Sequence, residues 1–128
     1  MAAELTDEGK TCLLEQKFAG LNTTFEVMLF NSTVSASNTT VYSELAAAEI
    51  SGTGYARAIV DTGGWIISGE DATYPTIAFS ATGSWGTVSG YALVSRETSP
   101  RSVWVDPRSD VTVNSGGVYV VNLSDVVV

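Results

Sequence analysis

The sequence contains no histidine and only one cysteine in 128 residues. Without histidine the chain cannot form a Ser-His-Asp or Cys-His catalytic set or a histidine-based metal site. Cys12 has no second cysteine for an internal disulfide, and we expect it to be a small buried residue rather than a nucleophile. These absences predict a protein that is not an enzyme, with no catalytic residue, no metal site and no cofactor.

Basic residues are scarce as well. Six Lys and Arg stand against fourteen Asp and Glu, which gives a net charge of -8 and a pI of about 4.2. Such a chain repels nucleic-acid phosphates and anionic membranes unless its basic residues cluster. The nearest approach to a cluster is a set of arginines interleaved with acids: Arg96, Glu97, Arg101, Asp106, Arg108 and Asp110. We therefore expect neither a nucleic-acid partner nor a membrane partner.

Long apolar runs are missing too. No stretch of about 18 apolar residues occurs, and the first residues are acidic and polar rather than basic and then apolar. We expect neither a cleaved secretion signal nor a membrane-spanning segment.

What the chain does contain is the composition of a folded, β-rich protein. It is 45% hydrophobic and 16% charged, and it is rich in Thr, Ser, Val, Gly and Ala. Its length predicts a single domain over 1–128.

The first twenty residues predict a helix. Thr6 can cap it, and acidic residues in the first turn suit the helix dipole. We expect the helix to run to about Ala19, with Leu14, Phe18 and Leu21 on one apolar stripe and with Gly20 ending it. The predicted helical segment is therefore 1–21.

From residue 22 onward the pattern is mainly that of short strands separated by turn residues. The stretch "VYSELAAAEI" is the exception and predicts a short helix or helical turn. The predicted strands are 24–30, 55–61, 64–68, 75–81, 87–95, 102–105, 111–113 and 118–123. This spacing predicts a mainly β fold, an antiparallel β-sandwich or jelly roll over 22–128 behind the short N-terminal helix.

The stretch "SGTGYARAIV" at 51–60 has two interpretations. Its glycines could form a phosphate-binding loop, but a third glycine, a Lys-Ser/Thr pair and a following helix are all missing. The other interpretation is a turn entering a strand, with Gly52 and Gly54 supplying unusual backbone angles. Arg57 would then pair with one of the abundant carboxylates. We favour the turn.

Neighbouring acidic residues allow a weaker alternative function, the hydrolysis of glycosidic bonds. Glu70 with Asp71, or Asp106 with Asp110, could serve as a glycosidase pair, although acids in turns are usually only solvated. The alternation of oxygen ligands that a calcium loop needs is absent.

The aromatic residues allow either packing or sugar stacking. Trp65, Trp85 and Trp104, with several tyrosines, could form a platform for a glycan, but aromatic residues on strands more often belong to the core. Trp85 is the tryptophan for which sugar stacking is the more plausible interpretation, because it lies between Gly83 and Gly86 in the turn "ATGSWGTV".

The order of several short motifs is similar to that of a group of small tailed-bacteriophage virion proteins. The group has an L-T-x-x-G-x-x-x-L-L helix, a strand ending in L-F, a G-Y-A-R turn and strand, an F-x-x-A-x-x-x-W-G-T-V segment and a V-N-S-G turn. The corresponding segments here are "LTDEGKTCLLEQKFAG", "FEVMLFNSTVS", "SGTGYARAIV", "YPTIAFSATGSWGTVSGYALVS" and "VTVNSGG". The match spans nearly the whole chain, and departs from the pattern in the 31–40 loop and in "RETSPRSVWVDPRSD".

This resemblance implies a structural protein of the virion, assembled in the bacterial cytoplasm. A capsid decoration or cement protein that stabilises the major capsid lattice, as a homotrimer, is the first expectation. A tail fibre or tail-tip subunit, which could bind glycans, is the alternative. The expected partners are the major capsid protein or other virion proteins.

The expected interface residues lie along the helix, on the strands and at the C-terminus: Leu14, Phe18, Arg57, Trp85, Arg101, Trp104, Arg108 and Val127. The closing "SDVVV" could pair with another chain or could complete the chain's own sheet.

Overall fold

The computed structural model describes residues 4–18, 24–60, 66–68 and 71–123. Within these ranges the helices are α1 (Asp7–Phe18) and α2 (Tyr42–Ala48). The strands are β1 (Glu4–Leu5), β2 (Thr24–Phe30), β3 (Ala58–Val60), β4 (Ile66–Ser68), β5 (Asp71–Thr73), β6 (Ile77–Ser80), β7 (Gly86–Arg96), β8 (Ser102–Val113) and β9 (Val118–Val121). The predicted class, mainly β with a short N-terminal helix, is confirmed.

The strands form antiparallel sheets. The largest has five strands in the order β1-β8-β7-β2-β3, and two smaller sheets pair β4 with β5 and β6 with β9. The β2–β7 ladder is regular from the Thr24–Arg96 pair to the Phe30–Gly90 pair. This long central ladder is the scaffold on which the other elements are placed.

The centre of the five-stranded sheet is buried on both faces. Val27 and Leu29 point into the larger core, which β6 and β9 help to close, while Met28 and Phe30 point into a smaller core under α2. All four side chains are at most 1% exposed. Successive residues of β2 therefore point to opposite faces, as in any strand, and a layer on each side of the sheet makes both sets of side chains interior.

Helix α1 begins as predicted but turns a different face to the sheet. Thr6 Oγ1 accepts a hydrogen bond from the Gly9 amide at 2.9 Å, the geometry of an N-cap. The predicted apolar stripe is wrong at Leu14, which is 58% exposed, whereas Cys12 is fully buried. Small residues face the sheet because its backbone lies close: a Cβ on Gly9 would be 2.1 Å from the Val103 carbonyl oxygen. The Phe18 side chain lies outside the described part, as does Leu21.

Cys12 is the small interior residue that the sequence predicts. It packs in the larger core. Burial raises the pKa of its thiol and outweighs the opposing hydrogen bond from Gln16. A thiol held protonated in this way is a poor nucleophile.

Helix α2 confirms the helical interpretation of "VYSELAAAEI". At its start the Val41 amide donates to Glu44 Oε1 at 3.1 Å, and the Glu44 amide donates to the Val41 carbonyl at 3.1 Å. Leu45 and Ala48 are its buried residues, and they cover the smaller core.

Strand β8 corrects the sequence prediction. Residues 102–105 and 111–113 were expected to be two strands with "DPRSD" as a turn, but 102–113 is one strand. Gly90 lies opposite Pro107 and Val88 opposite Val111, so residues 108–110 all lie opposite Ser89. The stretch is a β-bulge, a place where an antiparallel ladder tolerates Pro and extra residues.

Three smaller differences concern strand ends and short strands. β3 begins at Ala58 rather than at 55, and β5 lies inside the predicted turn "SGEDATYP". β1 was not predicted, and it exists because Glu4 and Leu5 pair with Val105 and Trp104. Two- and three-residue strands carry no periodicity of their own, so distant pairing partners decide them.

Candidate functional site

Three glycine-containing loops that carry the sequence resemblance contact one another. These interlocked loops are residues 52–55, 81–86 and 113–117. The Thr82 amide donates to the Thr53 carbonyl at 3.2 Å, and the Gly116 amide to the Ala81 carbonyl at 2.8 Å. The Trp85 amide donates to the Val113 carbonyl at 2.9 Å. Motifs that lie far apart in the sequence thus form one hydrogen-bonded unit.

Trp85 fills the centre of the interlocked loops. Its indole Nε1 donates to the Thr53 carbonyl at 2.9 Å, and its ring meets the Tyr55 ring edge-on at a centroid distance of 5.6 Å. Gly52 leaves room for it, since a Cβ there would be 2.4 Å from the indole Cδ1. Gly54 has a φ of +88°, which L side chains rarely adopt. The turn interpretation of "SGTG" is therefore confirmed.

Arg57, which follows this turn, is held by two carboxylates and a phenol. Its Nε and Nη2 each donate to Glu49 at 2.8 Å, its Nη1 donates to Glu26 at 2.9 Å, and Nη2 also reaches the Tyr42 hydroxyl at 2.9 Å. The Arg57, Glu49 and Glu26 side chains are each about one-fifth exposed. The predicted pairing of Arg57 with carboxylates is confirmed.

Tyr55 extends this cluster into the sheet. Its hydroxyl donates to Glu49 Oε2 at 2.6 Å and accepts from the Leu29 amide at 3.1 Å. Burial, and then the hydrogen bond to Glu49, raise the pKa of Tyr55 far above its usual range. The pKa of Arg57 is raised, first by its hydrogen bonds to Glu49. The side chains of Tyr55, Arg57 and Glu49 are hydrogen-bonded to one another. The cluster therefore positions β3 and α2 and does not present a reactive group.

The remaining arginines that the sequence predicts as interface residues are paired within the chain. Arg101 contacts Glu15 through Nη1 at 2.7 Å and Glu97 through Nε at 2.9 Å, which ties α1 to the β7–β8 connection. Arg108 Nη2 donates to Asp106 Oδ2 at 2.7 Å while more than half of the Arg108 side chain stays exposed. Arg108 is therefore the more accessible of the two.

The predicted tryptophan candidates are interior. Trp85 is 6% exposed and Trp104 is 4% exposed, so packing is the interpretation that holds for both. A sugar-stacking platform would need an exposed ring face, which neither residue provides. Leu14 is exposed, whereas the Phe18 side chain and Val127 lie outside the described residues. Trp65 lies outside them as well.

The outer face of the β6–β9 sheet was not predicted as a site. Six exposed residues form it, and we call it the uncharged face: Thr76, Ala78, Ser80, Val118, Val120 and Asn122. Val118 is 55% exposed and Val120 is 53% exposed. In a chain of net charge -8, a strand face without charge that exposes two valines is a candidate docking surface. The sequence does not predict this exposed face, because "VYVV" has the composition of a core strand.

Two further features are absent from the described residues. No helix among them is long and apolar enough to cross a membrane. The same residues hold no group of three or more Cys, Asp or Glu side chains placed to bind a metal ion.

No protein-family model, curated protein or solved structure matches this chain. The resemblance to phage virion proteins therefore stays a prediction that depends on its quoted motifs.

Proposed function

We propose that this protein is a non-enzymatic structural component of a tailed-bacteriophage virion. In this proposal it is a capsid decoration or cement protein that forms trimers and clamps adjacent major capsid subunits. The observation that carries the proposal is the ordered set of motifs along nearly the whole chain. A fold alone does not give a function, so the role of the motif residues matters.

The motif residues of this chain are scaffold residues, which supports a structural role. Thr6 caps α1 and donates to the Ser102 carbonyl at 2.9 Å, and Tyr55 and Arg57 hold the Glu49 cluster. Trp85 and Gly116 belong to the interlocked loops. A family defined by such residues shares a rigid frame, and a virion component requires that frame to bear load between neighbours.

The uncharged face supplies a surface through which such a frame can dock. Burying exposed valines against a partner contributes roughly 25 cal/mol per Å² of apolar surface removed from water. Because the face carries no charge, docking leaves no buried ion without a partner. We place the contact with other virion proteins there.

The first experiment asks where the protein is found. Virions of the phage that encodes the chain are purified and analysed by mass spectrometry, and are labelled with antibody and gold. Many copies over the head support the capsid proposal, and a few copies at the tail would instead support the tail-fibre alternative. Absence of the protein from purified virions overturns both.

The second experiment tests the clamping role. Particles assembled without the protein are compared with complete ones for survival of heat and osmotic shock. We expect depleted capsids to rupture under milder conditions, and equal survival would contradict a cementing role. Sedimentation of the purified protein tests the trimer.

The third experiment tests the docking face. Val118→Asp and Val120→Asp place charge on the uncharged face, and Ile59→Asp, at a 52% exposed position on β3, is the matched control. We expect the first two variants to fold but to be lost from particles, and the control to be incorporated. Normal incorporation of Val118→Asp and Val120→Asp would rule out this face.

A further inference from the structure

The uncharged face does not end at β9. A cavity of about 360 Å³ lies between β9 and the bulged part of β8, and Val120 and Asn122 belong both to the face and to the cavity lining. On the β8 side the lining includes Arg108, Ser109 and Val111, which are all exposed. The docking surface therefore extends across the cavity and reaches β8.

The centre of this extended surface is apolar. Val111 is 46% exposed, Val118 is 55% exposed and Val120 is 53% exposed. Val111 and Val120 line the same cavity, together with the largely buried side chains of Tyr91 and Tyr119. The volume is at the lower end of the range of about 300–1,000 Å³ for whole ligands, so there is room for a side chain of another protein. A large apolar side chain would fill it best, because filling removes both apolar surfaces from water.

Arg108 places a positive charge at the edge of this surface. Its Nη2 donates to Asp106 Oδ2 at 2.7 Å. Asp106 is 2% exposed, whereas 53% of the Arg108 side chain is exposed, so a buried carboxylate fixes a guanidinium whose outer part stays in water. A guanidinium carries several N–H donors in one plane, and it can therefore bind a second carboxylate from outside.

The other acid of the bulge is held elsewhere. Asp110 Oδ1 accepts from Ser89 Oγ at 2.7 Å, and Asp110 is not among the residues that line the cavity. The bulge thus turns Arg108 and Ser109, but not Asp110, toward the cavity. In a chain of net charge -8, the edge of the docking surface presents a cation to whatever binds there.

We propose that the virion protein that docks on the uncharged face inserts a large apolar side chain into this cavity and places a carboxylate against Arg108. The partner segment then carries an Asp or Glu within a few residues of a Leu, Met, Phe or Trp. Burial of the apolar side chain supplies affinity, and the ion pair fixes how the two proteins are aligned. This inference rests on the proposed function, because it requires a different virion protein on the uncharged face.

The charges select this partner over others. A basic segment would meet Arg108 with like charge. A polyanion such as a nucleic acid would be repelled by the rest of the acidic chain and would leave the exposed valines in water. An acidic and apolar segment satisfies both the cation and the cavity.

Photochemical cross-linking in assembled particles identifies the partner segment. Val111→photo-leucine places a diazirine side chain of similar size at the cavity, and Ile59→photo-leucine, at a 52% exposed position of β3, is the control. We expect the cavity position to cross-link to another virion protein beside an Asp or Glu, and the control not to cross-link to that segment. A cross-link to a segment without an acidic residue, a cross-link to a second copy of this chain, or no cross-link would overturn the proposal.

Two variants test the cavity and the charge separately. Val111→Trp fills the cavity from an exposed position, and Arg108→Gln removes the cation. Arg96→Gln is the matched control, because the Arg96 side chain is 45% exposed and lies outside the lining. In competition with the parent protein, we expect Val111→Trp and Arg108→Gln each to be incorporated into particles about tenfold less, and Arg96→Gln to be incorporated equally.

Urea unfolding shows whether the variants are folded. Arg108→Gln leaves the buried Asp106 without its cation, so its stability is measured before its incorporation. Val111→Trp keeps the Asp106–Arg108 pair in place and tests the cavity even if Arg108→Gln fails to fold. Normal incorporation of Val111→Trp refutes the cavity assignment.

The outcomes separate this inference from the proposed function. If Val118→Asp and Val120→Asp are lost from particles while Val111→Trp and Arg108→Gln are incorporated normally, the partner docks without using the cavity, and this inference alone fails. If all four variants are incorporated normally, the docking face is refuted as well. If the parent protein is absent from purified virions, the proposed function and this inference fail together.

Discussion

The Arg57 guanidinium and the Glu49 carboxylate face each other in a two-bond pair, with Nε to Oε2 and Nη2 to Oε1 both at 2.8 Å. The paired geometry is the strong form of an arginine–carboxylate contact. It joins the residue before β3 to the residue after α2. Stability and assembly should therefore respond to this pair.

We predict that Arg57→Ala lowers the free energy of unfolding by about 2–4 kcal/mol, because Glu49 and Glu26 are left in a mostly buried place without their cation. Urea unfolding measures the change. Arg96→Ala is the control, since Arg96 is 45% exposed and meets Glu26 only at 3.6 Å. The control should cost at most about 1 kcal/mol. Equal effects of the two substitutions would contradict the role of the cluster.

The same pair predicts a dependence on pH. Burial acts to raise the pKa of Glu49, but the hydrogen bonds from Arg57 and Tyr55 outweigh it, and the net pKa lies below the ordinary value of 4.5. A depressed pKa in the folded state stabilises the protein above the unfolded pKa, and this contribution is lost as pH falls through the folded pKa.

Glu49→Gln should therefore be less stable than the parent at neutral pH. The difference between the two proteins should shrink as pH falls below about 4.5. Denaturant unfolding at a series of pH values measures the difference. A gap that stays constant down to about pH 3 would show that the carboxylate charge is not responsible.

Substitution of Gly9 sets helix propensity against a steric clash. Alanine is a better helix former than glycine by about 1 kcal/mol, so Gly9→Ala should stabilise α1 if only propensity counted. A Cβ there would instead meet the Val103 backbone at 2.1 Å. We expect the clash to win and to cost about 2 kcal/mol net, because the helix must move away from β8. Thr11→Ala, at an exposed position of the same helix, should be neutral or slightly stabilising in the same thermal unfolding assay.

The fourth prediction concerns Glu8, whose carboxylate accepts hydrogen bonds from two distant segments. Its Oε1 accepts from the Tyr42 amide and from the amide and hydroxyl of Ser102, at 2.9 to 3.0 Å. Glu8→Ala leaves the Tyr42 and Ser102 amides without their shared acceptor, while the Ser102 hydroxyl keeps the Thr40 carbonyl at 2.8 Å. The substitution should cost about 2–4 kcal/mol. Asp7→Ala removes an exposed acid from the same helical turn and should cost about 0.5 kcal/mol. Similar losses in chemical denaturation would mean that Glu8 serves only the helix dipole.

Glu8 also shows how far sequence reasoning reaches. Its position in the first turn of α1 is enough to predict a favourable interaction with the helix dipole. That it joins α2 to β8 depends on residues 34 and 94 positions away. No local pattern encodes which distant backbone amides will arrive at a carboxylate.

The bulge in β8 shows the opposite difficulty. "DPRSD" has the composition of a turn, and local propensity favours one. The ladder with β7 continues on both sides of it, so the extra residues are accommodated as a bulge. Tertiary pairing overrode the local signal.

The sequence by itself determined the mainly β class, the two helices, the N-cap at Thr6, the buried thiol and the turn that precedes Arg57. These follow from periodicity, capping chemistry and backbone freedom, which act over a few residues. Only the tertiary structure decided which partners Arg57 and Glu8 find, that Leu14 stays outside while Trp85 and Trp104 go inside, and that an uncharged face lies on the β6–β9 sheet. Those outcomes depend on contacts between segments far apart in the chain, where burial and the distances between hydrogen-bonding atoms set the free energy.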